Sequence, residues 1–199
     1  TTDKKYKFDG AFYSKMSMNI DGGTLGTGRL NITADNEGLD SELHLTINGG
    51  IIHINSADDG INTNEDGVSV TTINGGYLYI FAGNGAEGDG IDSNGWIVIN
   101  GGTVISLANP NSMDGGIDSD MGTYINGGTV VGAGGMYDEI ENDSEQLFMF
   151  MQFAEDTDDT IVMTDENDNP VFAYDFPYDY TYIVFSTPEL AEGIYHVYM

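Results

Sequence analysis

Apolar and polar residues alternate with a period of two along most of the chain, and the alternation restarts at regular intervals. An Ile precedes each of the Asn-Gly-Gly turns (Ile47, Ile73, Ile99, Ile125), with a second inward candidate two residues earlier (Leu45, Thr71, Ile97, Thr123). After the turns the inward positions read Ile52 and Ile54, Leu78 and Ile80, then Val104. Successive side chains on a strand point to opposite faces, so this pattern predicts half-buried strands. No segment before residue 137 keeps the apolar stripe of an amphipathic helix.

The turns set a repeat. Asp21-Gly22-Gly23, Asn48-Gly49-Gly50, Asn74-Gly75-Gly76, Asn100-Gly101-Gly102 and Asn126-Gly127-Gly128 are separated by steps of 27, 26, 26 and 26 residues. A second phrase runs between them: Gly38-Leu39-Asp40-Ser41, Gly60-Ile61-Asn62-Thr63, Gly90-Ile91-Asp92-Ser93 and Gly116-Ile117-Asp118-Ser119. Its Leu or Ile reads as the inward residue of a third short strand. Three short strands per unit, each stacked on its equivalent, predict an all-β fold: a parallel β-helix of about five coils of ~26 residues, spaced ~4.8 Å apart. Right-handed crossovers are the rule for parallel strands, so a right-handed helix is expected. At the turns, Asn and Gly tolerate left-handed backbone, and stacked Asn amides can bond from coil to coil.

If Ile91 points inward, Asp92 points outward, beside Asn62 and Asp118, with Asp40 next along. Asp58, Asp59, Asp89 and Asp114 cluster at the turn entering the same strand, and Glu42, Asn64, Asn94 and Asp120 follow it. Two carboxylates ~5 Å apart repel by about 3 kcal/mol at an effective dielectric near 20. A hard cation with oxygen ligands relieves this, and Ca²⁺ accepts Asp, Asn, carbonyl and water oxygens. The candidate metal ligands are therefore Asp40, Asp58, Asp59, Asn62, Asp89, Asp92, Asp114 and Asp118. The alternative is a solvated acidic edge that discourages sideways strand pairing.

The repeat occupies residues 1–143. Over 144–199 it gives way to segments such as "QLFMFMQFA" and "TIVMTDENDNPVFAYDF", which predict strands and hairpins with a turn at residues 165–169. This stretch is expected to cap the same domain. It would also cover part of an outward face that is unusually apolar: Ile51–Tyr77–Thr103–Thr129, His53–Tyr79–Ile105–Val131 and Asn55–Phe81–Leu107 fall in register. Trp96, Tyr77, Tyr79 and Tyr124 are the candidate carbohydrate-binding residues, because the C–H face of a pyranose packs on an aromatic ring.

Charge narrows the partners. Lys+Arg number 5 against 33 Asp+Glu, for a formal net charge of -28. Such a field argues against nucleic acid and against insertion into or binding to an anionic membrane. There is no cysteine, so disulfides contribute nothing to stability. An acidic, Lys-poor chain of this kind is expected to be secreted or at the cell surface, and monomeric, with any targeting segment lying outside these residues.

The stretches "INGGIIHINSADDGINT", "YLYIFAGNGAEGDGIDSNGWIVINGGTVIS" and "YIVFSTPELAEGIYHVY" resemble the bacterial carbohydrate-binding domain family whose members form calcium-containing right-handed β-helices similar in shape to pectate lyases. The resemblance runs from about residue 16 to the end. It implies extracellular, non-catalytic binding of polysaccharides such as cellulose and acidic pectic glycan, with Ca²⁺ as cofactor. The chain departs from the pattern at Glu37-Gly38-Leu39 and Gly115-Gly116, where Asp-Gly-Ile would stand. Two other readings are a calcium-stabilised adhesin or spacer, and a polysaccharide lyase. A lyase needs a basic side chain beside the acidic row to take a proton, and no Lys or Arg follows Arg29.

Overall fold

Apolar residues at every second position and glycine-rich turns between the runs produce three short strands per unit. A computed structural model of the chain describes residues 9–157 and 160–199. The first coil contains β1 (Gly10–Ser14), β2 (Ser17–Ile20) and β3 (Arg29–Ala34). The second contains β4 (Glu37–Ser41), β5 (His44–Ile47) and β6 (Ile51–Ser56), and the third β7 (Ile61–Thr63), β8 (Val70–Ile73) and β9 (Tyr77–Phe81). The fourth has β10 (Ile91–Ser93), β11 (Trp96–Ile99) and β12 (Thr103–Leu107); the fifth has β13 (Ile117–Ser119), β14 (Gly122–Ile125) and β15 (Thr129–Gly134). After them come β16 (Phe148–Thr157), β17 (Thr160–Asp165), β18 (Pro170–Asp175), β19 (Tyr180–Ser186) and β20 (Tyr195–Tyr198).

Equivalent strands of successive coils pair in parallel, giving the sheets β1-β4-β7-β10-β13, β2-β5-β8-β11-β14 and β3-β6-β9-β12-β15. The chain is thus an all-β solenoid of about five turns with no helix among the described residues. Identical rows stack inward: Ile47, Ile73, Ile99 and Ile125 are aligned and fully buried, as are Ile61 and Ile91 beside Leu39. Each such side chain contributes roughly 2 kcal/mol by leaving water, so the repeat supplies its own core.

The turns also repeat as a ladder. Asn74 Nδ2 donates to Asn48 Oδ1 at 2.8 Å, Asn100 Nδ2 to Asn74 Oδ1 at 2.9 Å, and Asn126 Nδ2 to Asn100 Oδ1 at 3.0 Å. The ladder starts on Asp21, whose Oδ1 accepts from Asn48 Nδ2 at 2.7 Å, and ends where Asn126 Oδ1 accepts the Glu145 N–H. The first rung needs only an acceptor, and an Asp supplies it. The left-handed backbone expected at these turns falls on the second glycine, as at Gly76 (φ 102), and Asp168 is the sole non-glycine residue with positive φ among those described.

The glycine of the second phrase has a different cause. A Cβ on Gly90 would strike Ser106 Oγ and the Gly116 carbonyl oxygen of the next coil. The Ser or Thr that closes each phrase turns inward and is buried. Thr63 Oγ1 donates to Ser93 Oγ at 2.7 Å and lies 3.2 Å from Thr71 Oγ1, so the interior of this sheet carries a satisfied hydroxyl network.

The last coil is closed by the C-terminal segment. β19 pairs antiparallel with β15, and β16 pairs with β19, extending the third sheet. Ile140, Phe148 and Val184 pack against the solenoid core. β17, β18 and β20 form a separate sheet, with residues 165–169 as the expected turn: Asp165 N donates to the Asn169 carbonyl at 2.9 Å. Its side chains cover the outward face of the third sheet, where Phe81, Ile105, Leu107 and Val131 are buried with Ile161 and Met163 of β17 and with Phe176 of the loop after β18.

Candidate functional site

The second phrase places Asp40, Asn62, Asp92 and Asp118 in one row, on β4, β7, β10 and β13. Their inward neighbours Leu39, Ile61, Ile91 and Ile117 anchor those strands in the core, so the row points away from it on a rigid support; Asp92 and Asp118 are half-buried, whereas Asp40 and Asn62 are buried. The turn before the strand adds a second tier. Asp59 Oδ1 accepts the Asp89 N–H at 2.8 Å, and Asp89 Oδ1 accepts the Gly115 N–H at 2.5 Å. Asp114 Oδ2 accepts the Gly88 N–H at 2.6 Å and also the Ser112 hydroxyl. Asp58 lies in the same turn and bonds through its carbonyl to the Gly83 N–H at 3.1 Å.

Oxygens of Asp89, Asp92 and Asp118 all lie within 4.8 Å of one another. Burial raises Asp89 to about 8 and Asp92 to about 7. The neighbouring charges of Asp118, Asp59 and Asp114 push Asp89 the same way, as Asp118 and Asp120 do for Asp92. Asp59 is raised to about 7, first by burial and then by Asp92, Asp58 and Asp114, against the opposing hydrogen bond from Asp89. Asp118 is raised by burial and by Asp138. These groups face one another, and no Lys or Arg follows Arg29 in the chain to balance them.

Toward the second coil, Asn62 Nδ2 donates to Glu37 Oε1 at 3.1 Å, and Asn64 Nδ2 donates to Asp40 Oδ1 at 2.7 Å. Burial, then the charge of Asp40, raises Glu37 to about 8. Glu37 Oε2 is buried without a hydrogen-bond partner. Asn62 Oδ1 is buried without any hydrogen-bond partner. An orphaned amide oxygen next to Asp92, in an all-oxygen donor set, fits a hard cation such as Ca²⁺ and fits no soft metal.

The aromatic candidates do not form one platform. Trp96 and Tyr124 lie on β11 and β14, on the face just past the Asn94–Gly95 corner from the acidic row, and both are half-buried. Tyr77 and Tyr79 lie on β9, on another sheet. Tyr77 is 40% exposed, whereas Tyr79 is half-buried against the cap and shares a phenol hydrogen bond with Tyr174. His53 sits between them, with ring centroids 6.1 Å from Tyr77 and 5.9 Å from Tyr79.

Sequence reasoning missed Glu37 and Asp138 as members of the acidic edge. Asp138 Oδ2 accepts the Ser119 N–H at 3.1 Å and the Ser119 hydroxyl at 3.2 Å, extending the edge past the last coil. It lies outside the repeated phrase, so no pattern marks it. Glu37 does carry a signal: it occupies the position before Gly38, where Asp59 and Asp89 stand in later coils.

A family described as "Carbohydrate-binding domain-containing protein" matches residues 1–166. No curated protein and no solved structure matches the chain.

Proposed function

Since the chain belongs to the carbohydrate-binding domain-containing protein family, we propose that it binds an acidic cell-wall glycan without cleaving it, through Ca²⁺ held on the acidic row. The observation that carries this reading is the convergence of Asp89, Asp92 and Asp118 beside the unpartnered Oδ1 of Asn62. The bare row repels an anionic sugar. A cation bound to it turns that repulsion into a bridge between the protein's carboxylates and those of a pectic chain. Asp40, Asp58, Asp59 and Asp114 lie close enough in sequence and register to complete the ligand set or tune its charge. Trp96, past the corner, offers a stacking face for a sugar docked on that edge.

The reading is non-catalytic because the chemistry of pectate cleavage needs a base. Among the described residues, Lys15 follows β1 at the far end of the row's sheet, three coils from Asp92; Arg29 stands on β3, in a different sheet from the row, and His44, His53 and His196 stand on β5, β6 and β20. The function belongs to a secreted or cell-surface protein, where Ca²⁺ reaches the ~10⁻⁴–10⁻³ M that extracellular modules use.

The test is calorimetric titration with oligogalacturonate in Ca²⁺ and in chelator. Binding only in Ca²⁺, lost in the Asp92→Asn/Asp118→Asn double variant, is the expected result. Ca²⁺ binding with no glycan binding would instead favour a calcium-stabilised spacer. Release of unsaturated product would make the protein a lyase.

A further inference from the structure

The cap sheet covers the outward rows of β12 and β15 and then stops short, leaving the outer face of β3 and β6 open beside β9. Two rows form the floor of the groove that results, Asn31–His53–Tyr79 and Thr33–Asn55–Phe81. Tyr178, from the loop between β18 and β19, forms the wall. The cavity measures about 310 Å³. A second recess of about 260 Å³ adjoins it, lined by Asn84, Asn109 and Asn111 among others, and shares Phe81 and Tyr178 with the first. The two rings stack at 4.1 Å with planes 8° apart, yet Tyr178 remains 43% exposed.

We propose that this groove is a second glycan site, for an uncharged polysaccharide chain, independent of the cation. The proposal rests on the family's carbohydrate binding and not on the acidic row. Both recesses are near the lower bound of ligand-sized pockets, enough for a sugar on either side of the Phe81–Tyr178 pair. The chemistry of the lining selects the ligand. Aromatic rings offer flat apolar faces, and side-chain amides pair donors and acceptors with vicinal hydroxyls. Asn84 Nδ2 donates to Asn55 Oδ1, which fixes one of those amides in place.

Neither recess is lined by an Asp, Glu, Lys or Arg. In a chain of net charge -28, a groove with no Lys or Arg in its lining, and His53 as its one titratable nitrogen base, disfavours an anion. Without carboxylates it also gives a bridging Ca²⁺ no hold. A neutral, hydroxyl-rich chain is the occupant that meets no electrostatic penalty.

Calorimetry with cellohexaose, xylohexaose and mannohexaose, all in EDTA, tests this. At least one should bind. Its affinity should fall by at least about tenfold in Tyr178→Ala, which removes the wall, and in Thr33→Trp, which fills the groove from an exposed strand position. Asp92→Asn/Asp118→Asn should leave it unchanged. The proposal is overturned if none of the three sugars binds, if binding needs Ca²⁺, or if both groove variants bind like the parent while melting normally. Oligogalacturonate binding in Ca²⁺, measured on Tyr178→Ala, reports separately on the acidic row, so the two sites can fail independently.

Discussion

Asn62 Nδ2 donates to Glu37 Oε1 at 3.1 Å in a buried contact between adjacent coils, and neither Glu37 Oε2 nor Asn62 Oδ1 receives a hydrogen bond from a neighbouring side chain or backbone group. This pairing joins the solenoid's stability to its acidic edge. Glu37, pushed up to about 8, keeps its proton near neutrality and shares it with Asp40. Glu37→Gln copies the protonated form: its Oε1 accepts from Asn62 and its Nε2 donates to Asp40. In EDTA at pH 8 the variant should be stabilised by about 1 kcal/mol, raising Tm by roughly 2–4 °C. An unchanged Tm would show that Glu37 carries no strain.

The raised carboxylates fix the sign of the pH dependence. Unfolded, these groups titrate near 4; folded, Asp59 and Asp92 titrate at about 7, and Glu37 and Asp89 at about 8. Below pH ~4 both states are protonated and the groups contribute no difference. Between pH ~4 and ~8 the folded state holds more protons, so stability falls as pH rises. Thermal melts in EDTA should therefore give a higher Tm at pH 5 than at pH 8. Ca²⁺ competes with those protons, so saturating Ca²⁺ should raise Tm more at pH 8 than at pH 5. A metal-free Tm that rises from pH 5 to pH 8 would contradict this.

The Asn ladder predicts an asymmetry. Asn74→Ala removes two rungs, the bonds to Asn48 and from Asn100, while Asp21→Ala removes only the terminal one. With each exposed bond worth at most about 1 kcal/mol net, urea denaturation should show Asn74→Ala losing about 1–2 kcal/mol and Asp21→Ala about half as much. Equal losses would mean that the rungs do not act as separate bonds.

Much of the solenoid is legible in the sequence because each inward row repeats one residue type at one spacing. The outward rows Ile51–Tyr77–Thr103–Thr129 and His53–Tyr79–Ile105–Val131 pair in the structure as the spacing predicts. The first coil is harder to see. There "GAFYS" replaces the repeated phrase, and Tyr13 stands in register with Asp40, donating its phenol proton to Glu42 Oε1 at 2.7 Å. Among the described residues β1 pairs only with β4, so fewer stacked partners hold its residues to the repeated pattern.

The acidic row Asp40–Asn62–Asp92–Asp118 is likewise legible as a register. Its reach is legible only in part: Glu37 holds the position of Asp59 and Asp89 in later coils, but Asp138 joins from the segment after β15, outside the repeat. Spacing alone also puts the four aromatic candidates on one list. The corner between sheets sends Trp96 and Tyr124 to one face, and Tyr77 and Tyr79 to another. The groove beside Tyr178 depends on where the cap stops, which no local pattern encodes.

Calorimetric titration of the chelator-treated protein with Ca²⁺, alongside the Asp92→Asn/Asp118→Asn double variant, tests the central claim most directly. The account predicts saturable, stoichiometric binding to the parent at pH 8, with affinity falling at least about tenfold in the variant because two of the three converging carboxylates are gone. No heat of binding to the parent, or equal affinity in both proteins, would contradict it and leave the row as a solvated acidic edge.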